Sequence, residues 1–212
     1  MRRRSFLVST AGGLSVALAG CTSILEASRP AGLEGVDADR QLSVPTLGSG
    51  TVAVDVYEDL GCPICHEFRA DVFPELESSY VEPDEITYRH RDFPVEAAAE
   101  SVAMANAARA VQAETRTDDD PAGRFFDYKD RVIDHDDWGD DSLATLAEIV
   151  DVEPEAVSEA LEADTYYPTL VADWERGENA GVERTPTVVV DGDIVDEPLE
   201  VDAIGEAIDD AA

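Results

Sequence analysis

The chain has 212 residues, which bounds it at one main domain, and its 44% hydrophobic content is enough for a folded core rather than acidic disorder. It carries 48 acidic and 15 basic residues, and the formal charge of −33 excludes nucleic acid and anionic membrane surfaces as partners. Lys129 is the only lysine. An acidic, lysine-poor, folded chain fits very high salt, where at about 1 M the Debye length is only ~3 Å and self-repulsion is screened, so we read the source as an extreme halophile.

Residues 1–20 read as an export leader. Arg3-Arg4-Ser5-Phe6-Leu7 resembles the twin-arginine signal, and the weakly apolar run from Phe6 to Gly20 is too short to span a bilayer. Leu18-Ala19-Gly20-Cys21 looks like a lipobox, which makes Cys21 the lipidation candidate and the membrane anchor on the outer face of the cell. A plain signal peptide with an incidental cysteine, or an uncleaved anchor, is the alternative. Loss of Arg2, Arg3 and Arg4 with the leader takes the charge from −33 to −36. Residues 21–50 contain Pro30, Gly32, Gly35, Pro45, Gly48 and Gly50 and hold no helical or strand period, apart from a short edge strand at 41–44. They are expected to form a flexible tether reaching on the order of 25–30 Å.

The folded domain is expected over 51–212. Val52, Val54 and Val56 alternate with Ala53, Asp55 and Tyr57, as in a strand with mixed faces, and 66–80 reads as a helix. Between them stands Cys62-Pro63-Ile64-Cys65, two thiols placed where a strand becomes a helix. Unpaired N–H groups and the positive dipole end at a helix start favour a thiolate, and Pro63 suits a first turn that has no N–H bond to lose. Cys62 is therefore the expected attacking sulfur and Cys65 the resolving one, the pair cycling between dithiol and Cys62–Cys65 disulfide. Two other readings stand beside this. A structural staple closing so short a loop removes little unfolded-state entropy. A zinc or copper site would need further ligands from His66, His90, His135 or carboxylates, and it would make the chain an extracytoplasmic metal-handling lipoprotein.

Further along, 86–90 reads as a second strand closed by Asp92-Phe93-Pro94, making a βαβ unit with a parallel pair. Helices are expected over 95–113, 123–133, 142–150, 154–163 and 166–179, with Thr115 to Pro121 an acidic loop and Phe125, Phe126, Tyr128, Trp138, Tyr166, Tyr167 and Trp174 in the core of that helical block. Thr187 to Val190 returns to strand, Asp191-Gly192 signals a tight hairpin, Ile194-Val195 begins the return strand, and 201–208 is a last amphipathic helix. The order is β-α-β, a helical insertion at about 95–179, then β-β-α.

Three motifs carry a family resemblance: Tyr57-Glu58-Asp59-Leu60-Gly61-Cys62-Pro63-Ile64-Cys65, Arg91-Asp92-Phe93-Pro94, and Gly181-Val182-Glu183-Arg184-Thr185-Pro186-Thr187. Over roughly 51–210 the chain resembles the DsbA-like branch of the thioredoxin superfamily, whose fold is α/β. The resemblance implies a protein thiol–disulfide oxidoreductase that needs no cofactor and no metal. Its implied partners are exported proteins with thiols or disulfides and a membrane redox protein that resets the dithiol. It implies a cis Pro186 opposite the dithiol, with the Thr185 backbone open to an extended substrate strand and Pro63 and Ile64 beside it. A proline that merely starts a strand and blocks edge pairing is the alternative for Pro186. The chain departs from the family in two places. Ile64 stands where strongly oxidising members carry a histidine, and His66 lies just past the motif. The acid that many relatives place six residues before the first cysteine is here Val56. Asp55 is out of phase by one residue, and Glu58 keeps the phase as the proton-transfer candidate, against the alternative of an ordinary solvated glutamate.

Overall fold

In the computed structural model, which describes residues 28–212, five strands form one sheet in the order β1 (Thr46–Leu47), β3 (Ile86–Asp92), β2 (Val52–Glu58), β4 (Thr187–Val190), β5 (Asp193–Ile194). β2 runs parallel to β3 and antiparallel to β4, and β1 closes the far edge antiparallel to β3. The crossover from β2 to β3 is a helical run over 63–81, built from α1 (Pro63–Glu67) and α2 (Phe73–Leu76), each followed by a π-helical turn. A helical block follows: α3 (Ser101–Thr115), α4 (Phe125–Ile133), α5 (Asp140–Leu146) and α6 (Pro154–Glu162), then α7 (Tyr167–Ala180) returns the chain to β4. The hairpin turns at Asp191-Gly192 with both residues at positive φ, and α8 (Val201–Ala211) ends the domain. The expected β-α-β, helical block, β-β-α order is the order found.

Both sheet faces are covered, which decides where the site can form. Val52, Val54 and Val56 pack with Phe68, Phe73 and Leu76 of the crossover and with Ile204 and Ile208 of α8. Tyr57 and Val189 pack on the opposite face with Leu170 and Trp174 of α7. β2 is thus buried on both sides instead of showing one wet face, because helices cover the sheet front and back. Asp55 is tolerated there because Arg91 donates to it at 2.7 Å. The helical block has its own core around Met104, Val111, Phe125, Tyr128 and Leu143. Trp174, expected in that block, instead stacks on Phe93 at 4.2 Å between ring centres, against the sheet.

Three further expectations are corrected. Residues 95–100 are not the start of α3. The Asp59 carboxylate accepts the N–H groups of Val95 and Ala97, Ser101 Oγ accepts that of Ala98, and Glu96 has φ +55. Side chains satisfy the backbone there, so alanine propensity does not prevail. The described part of the expected tether, 28–50, is a strap laid on the domain. Leu33 is fully buried, Arg40 pairs with Asp173 at 2.7 Å, the Asp39 N–H donates to Pro168 O at 3.1 Å, and β1 adds to β3. The strand of this segment lies at Thr46–Leu47 rather than 41–44. Two widely spaced leucines, Leu33 and Leu42, anchor the strap, which is why no period announced it. The leader and Cys21 lie outside the described residues.

Candidate active site

The two cysteines stand where the crossover helix begins. The Asp59 carboxylate accepts the Gly61 N–H at 2.8 Å, and the Asp59 carbonyl accepts the Cys62 N–H at 3.0 Å, which turns the chain out of β2. Gly61 has no room for a side chain, since a Cβ would come within 2.6 Å of the Ala98 Cβ. Cys62 then caps α1 with φ −85 and ψ 119, and Pro63 occupies the first turn. Pro63 and Ile64 are exposed, Ile64 to 49%, whereas Cys62 and Cys65 are 7% and 1% exposed. The thiols are unlinked, which is the reduced state.

Across the gap, the Thr185–Pro186 peptide bond is cis and the Cys62 thiol lies 3.7 Å from the Thr185 carbonyl oxygen. The Thr185 hydroxyl is buried without a hydrogen-bond partner. The Cys62 thiol is held down at about 6, first by the hydrogen bond from Cys65, with Thr185 and the N–H groups of Cys65 and Ile64 helping against the opposing effect of burial. Burial pushes the Cys65 thiol well up, and its bond to Cys62 and the Glu58 charge push the same way. The two sulfurs are therefore chemically unequal: one is a ready thiolate, the other a proton carrier. His66 takes no part at Cys62, because its ring nitrogen is 2.6 Å from the Leu60 carbonyl.

Beneath Cys65 lies a cluster that sequence reasoning caught only at Glu58. Glu58 is 1% exposed, so the solvated alternative does not hold. Parallel register sets Val56 beside His90 and Glu58 beside Asp92, on the sheet face under the crossover. Glu58 Oε2 accepts from the Lys129 ammonium and lies 2.9 Å from His90 Nδ1, while Glu58 Oε1 has no partner. His90 Nε2 lies 3.1 Å from Asp92, and Arg109 joins Asp92 to Asp173 at 2.6 and 2.8 Å. Arg91 bridges Asp173 and Asp55, so the buried acids Glu58, Asp92, Asp173 and Asp55 are paired with Lys129, Arg109 and Arg91, with the His90 ring set between Glu58 and Asp92. Burial pushes the Glu58 carboxyl up, but Lys129 and His90 outweigh it and hold it at about 2. Lys129 did carry a signal, since a sole lysine set between Tyr128 and Val132 on an amphipathic helix has been kept for a partner.

The metal reading finds little support in this arrangement. Both nitrogens of His90 face carboxylates, His66 is bound to Leu60, and His135 is exposed. Among the described residues no group of three or more His, Cys, Asp or Glu is placed to hold a metal ion. Nor is any helix among them long and apolar enough to cross a membrane.

A family model described as Thioredoxin matches residues 48–210. Disulfide bond formation protein D of Bacillus subtilis is 22% identical over 178 residues, covering 78% of this chain and 75% of that protein. Among solved structures, oxidised BdbD from Bacillus subtilis superposes with a TM-score of 0.70 at 22% identity, over 82% of this chain and 97% of that one. Chlamydia trachomatis DsbA superposes with a TM-score of 0.70 at 21% identity, over 79% and 91%. The fold, helical block included, is that of the DsbA type.

Proposed function

The chain belongs to the thioredoxin family, and from that premise we propose that it is a thiol–disulfide oxidoreductase acting on exported proteins through Cys62 and Cys65. The observation that carries the reading is the placing of Cys62: a helix-capping sulfur held down at about 6, facing Thr185 and the cis Pro186, with a protonated partner behind it. In the oxidised protein a substrate thiolate attacks the Cys62 sulfur and Cys65 leaves, giving a mixed disulfide. A second substrate thiolate attacks the substrate sulfur and releases Cys62 as a thiolate. Its low pKa makes Cys62 a good leaving group, which favours oxidation of the substrate. Exposed Pro63 and Ile64 and the Thr185 backbone line the approach for an extended chain. The likeness to a protein named for disulfide bond formation points the same way.

The leader, a lipid on Cys21 and a membrane partner that reoxidises the dithiol complete the proposal, as does a working environment of molar salt. The leader and the lipid rest on the sequence of residues 1–21, the salt on the charge, and the membrane partner on the family resemblance. The exchange chemistry requires no cofactor. The test is direct: the oxidised protein, in high salt, is mixed with a reduced peptide carrying two cysteines, and the peptide disulfide is counted. One disulfide formed per chain, lost in Cys62→Ser, is the expected result, and no exchange in the wild type would sink the reading.

A further inference from the structure

The departure of Cys65 from the disulfide creates a thiolate in a buried place, and burial strongly disfavours that charge. A proton must reach it. Glu58 is near enough for its charge to act on Cys65, but a carboxylate clamped by Lys129 and His90 has no proton of its own to give. We propose that His90 stores the proton for Cys65 and that Glu58 passes it on, with Lys129 and Asp92 as the residues that let His90 exist in both protonation states.

The geometry around the imidazole carries this. Nδ1 faces Glu58 Oε2 at 2.9 Å and Nε2 faces Asp92 Oδ1 at 3.1 Å. Two ionised carboxylates opposite two ring nitrogens call for a hydrogen on each, so the resting ring is the imidazolium. If Nδ1 gives up its hydrogen, the lone pair left behind is not stranded, because the Lys129 ammonium lies 3.4 Å from Nδ1 and can donate to it. Nε2–H stays on Asp92, which Arg109 holds from the other side at 2.6 Å. Each state of the ring therefore has its partners in place.

The path balances. Glu58 Oε2 takes the Nδ1 proton, and the short-lived carboxylic acid turns that O–H away from the imidazole and gives the same proton to the Cys65 sulfur, Oε1 being held by no other group and free to turn in its place. A thiolate and an imidazolium become a thiol and a neutral imidazole, no electrons move in this step, and the net charge of the pocket is unchanged. Glu58 never holds a proton for long, in keeping with a carboxyl held at about 2. In the reverse direction Cys65 returns its proton by the same route as it attacks the mixed disulfide. The other charged or titratable neighbours do not compete. Arg109 and Asp173 stand behind Asp92, and the Phe125 ring covers the imidazole at 4.9 Å. Arg69 is bonded to Asp130 at 2.6 Å, and burial pushes the Tyr88 hydroxyl well up, so it keeps its proton. His90 acts through Glu58 and is a positioning and storage residue rather than a group that touches sulfur.

This rests on the oxidoreductase reading, and the experiment separates the two. The oxidised protein is opened by glutathione under stopped flow across the pH range in which it stays folded, and the rate is corrected for the thiolate fraction of glutathione. In the wild type the corrected rate is high while His90 carries its proton and falls as that proton is lost. His90→Asn keeps hydrogen bonds but stores no proton, so its corrected rate should be pH-independent and about a hundredfold lower than the wild-type maximum. Glu58→Gln should lose as much, and the double variant no more than either, as expected of residues acting as one path. Unchanged alkylation of Cys62 in the variants shows that the helix start is intact. His90→Asn with the wild-type profile, or a double variant losing the product of the two single losses, overturns the proposal. Where the variants do not fold, nitrogen NMR of the wild-type imidazole decides: a His90 ring in one protonation state across the range where the rate changes overturns it too. A wild type that glutathione does not open at all fails the oxidoreductase reading instead.

Discussion

Cys62 and Thr185 are 123 residues apart in sequence, yet the Cys62 sulfur lies 3.7 Å from the Thr185 carbonyl oxygen. The pairing of β2 with β4 makes this contact, because Tyr57 is opposite Thr187 and both chains leave the sheet at the same end. A disulfide partner of Cys62 must therefore approach along the Thr185 backbone.

The inequality of the two sulfurs predicts which of them reacts. Brief alkylation of the reduced protein should label Cys62, with a rate that rises with pH, passes its midpoint at about 6 and levels off above it. Cys65→Ser should accumulate mixed disulfides through Cys62, and Cys62→Ser few. Preferential labelling of Cys65 would reverse the assignment.

The Thr185 hydroxyl has no partner while Cys62 is a thiol bonded to the Thr185 carbonyl, and it is free to donate to the thiolate, so Thr185→Val removes that donor while leaving the carbonyl in place. A hydrogen bond to a charged group is worth roughly 1.5–3 kcal/mol, so the alkylation midpoint should move up by about one pH unit or more. An unmoved midpoint would mean that helix N–H groups and Cys65 alone stabilise the thiolate.

Acid should unfold the protein through its buried carboxylates. Glu58 falls from 4.5 to about 2 and Asp92 from 3.8 to about 2 on folding. Since the folded values are the lower ones, the stability they contribute is complete above about pH 4.5 and is lost as pH falls toward 2. Denaturant unfolding in constant high salt should show that loss beginning below pH 4.5. Lys129→Met, which leaves Glu58 with one cation fewer, should cost about 3–5 kcal/mol at neutral pH, and a cost near zero would mean the ammonium is dispensable.

The strap predicts a cost of truncation. A chain beginning at residue 48, where the family match begins, loses Leu33, Leu42 and the Arg40–Asp173 pair. Leu33→Ala alone should cost about 2–5 kcal/mol, and the truncated chain should unfold at lower denaturant than either. Equal stability of the truncated and full domains would show that the strap is only laid on the surface.

Salt should act on the thiolate as well as on folding. The acidic surface opposes a negative charge at Cys62 over distances that salt screens, whereas the hydrogen bonds from Cys65 and the helix N–H groups act at contact. Within the folded range, the alkylation midpoint of Cys62 should fall as potassium chloride rises. A constant or rising midpoint would leave the acidic surface as a folding and solubility adaptation.

Local chemistry was legible in the chain. Cys-Pro-Ile-Cys at a strand-to-helix change, the valine strands, the Asp191-Gly192 hairpin and the proline after Thr185 each depend on neighbours in sequence, so the element order and both sulfurs could be read from it. What tertiary structure alone decided is the ground beneath Cys65. Glu58, His90 and Lys129 come from two strands and a helix of the insertion, and parallel register and α4 packing bring them within hydrogen-bond reach. No periodicity encodes an ion pair between residues 71 apart, and no single position distinguishes a buried glutamate from a solvated one until its cation arrives. The strap was hidden for the same reason: its turns carry no pattern, and its order comes from bonds to α7 and β3 that exist only in the folded chain.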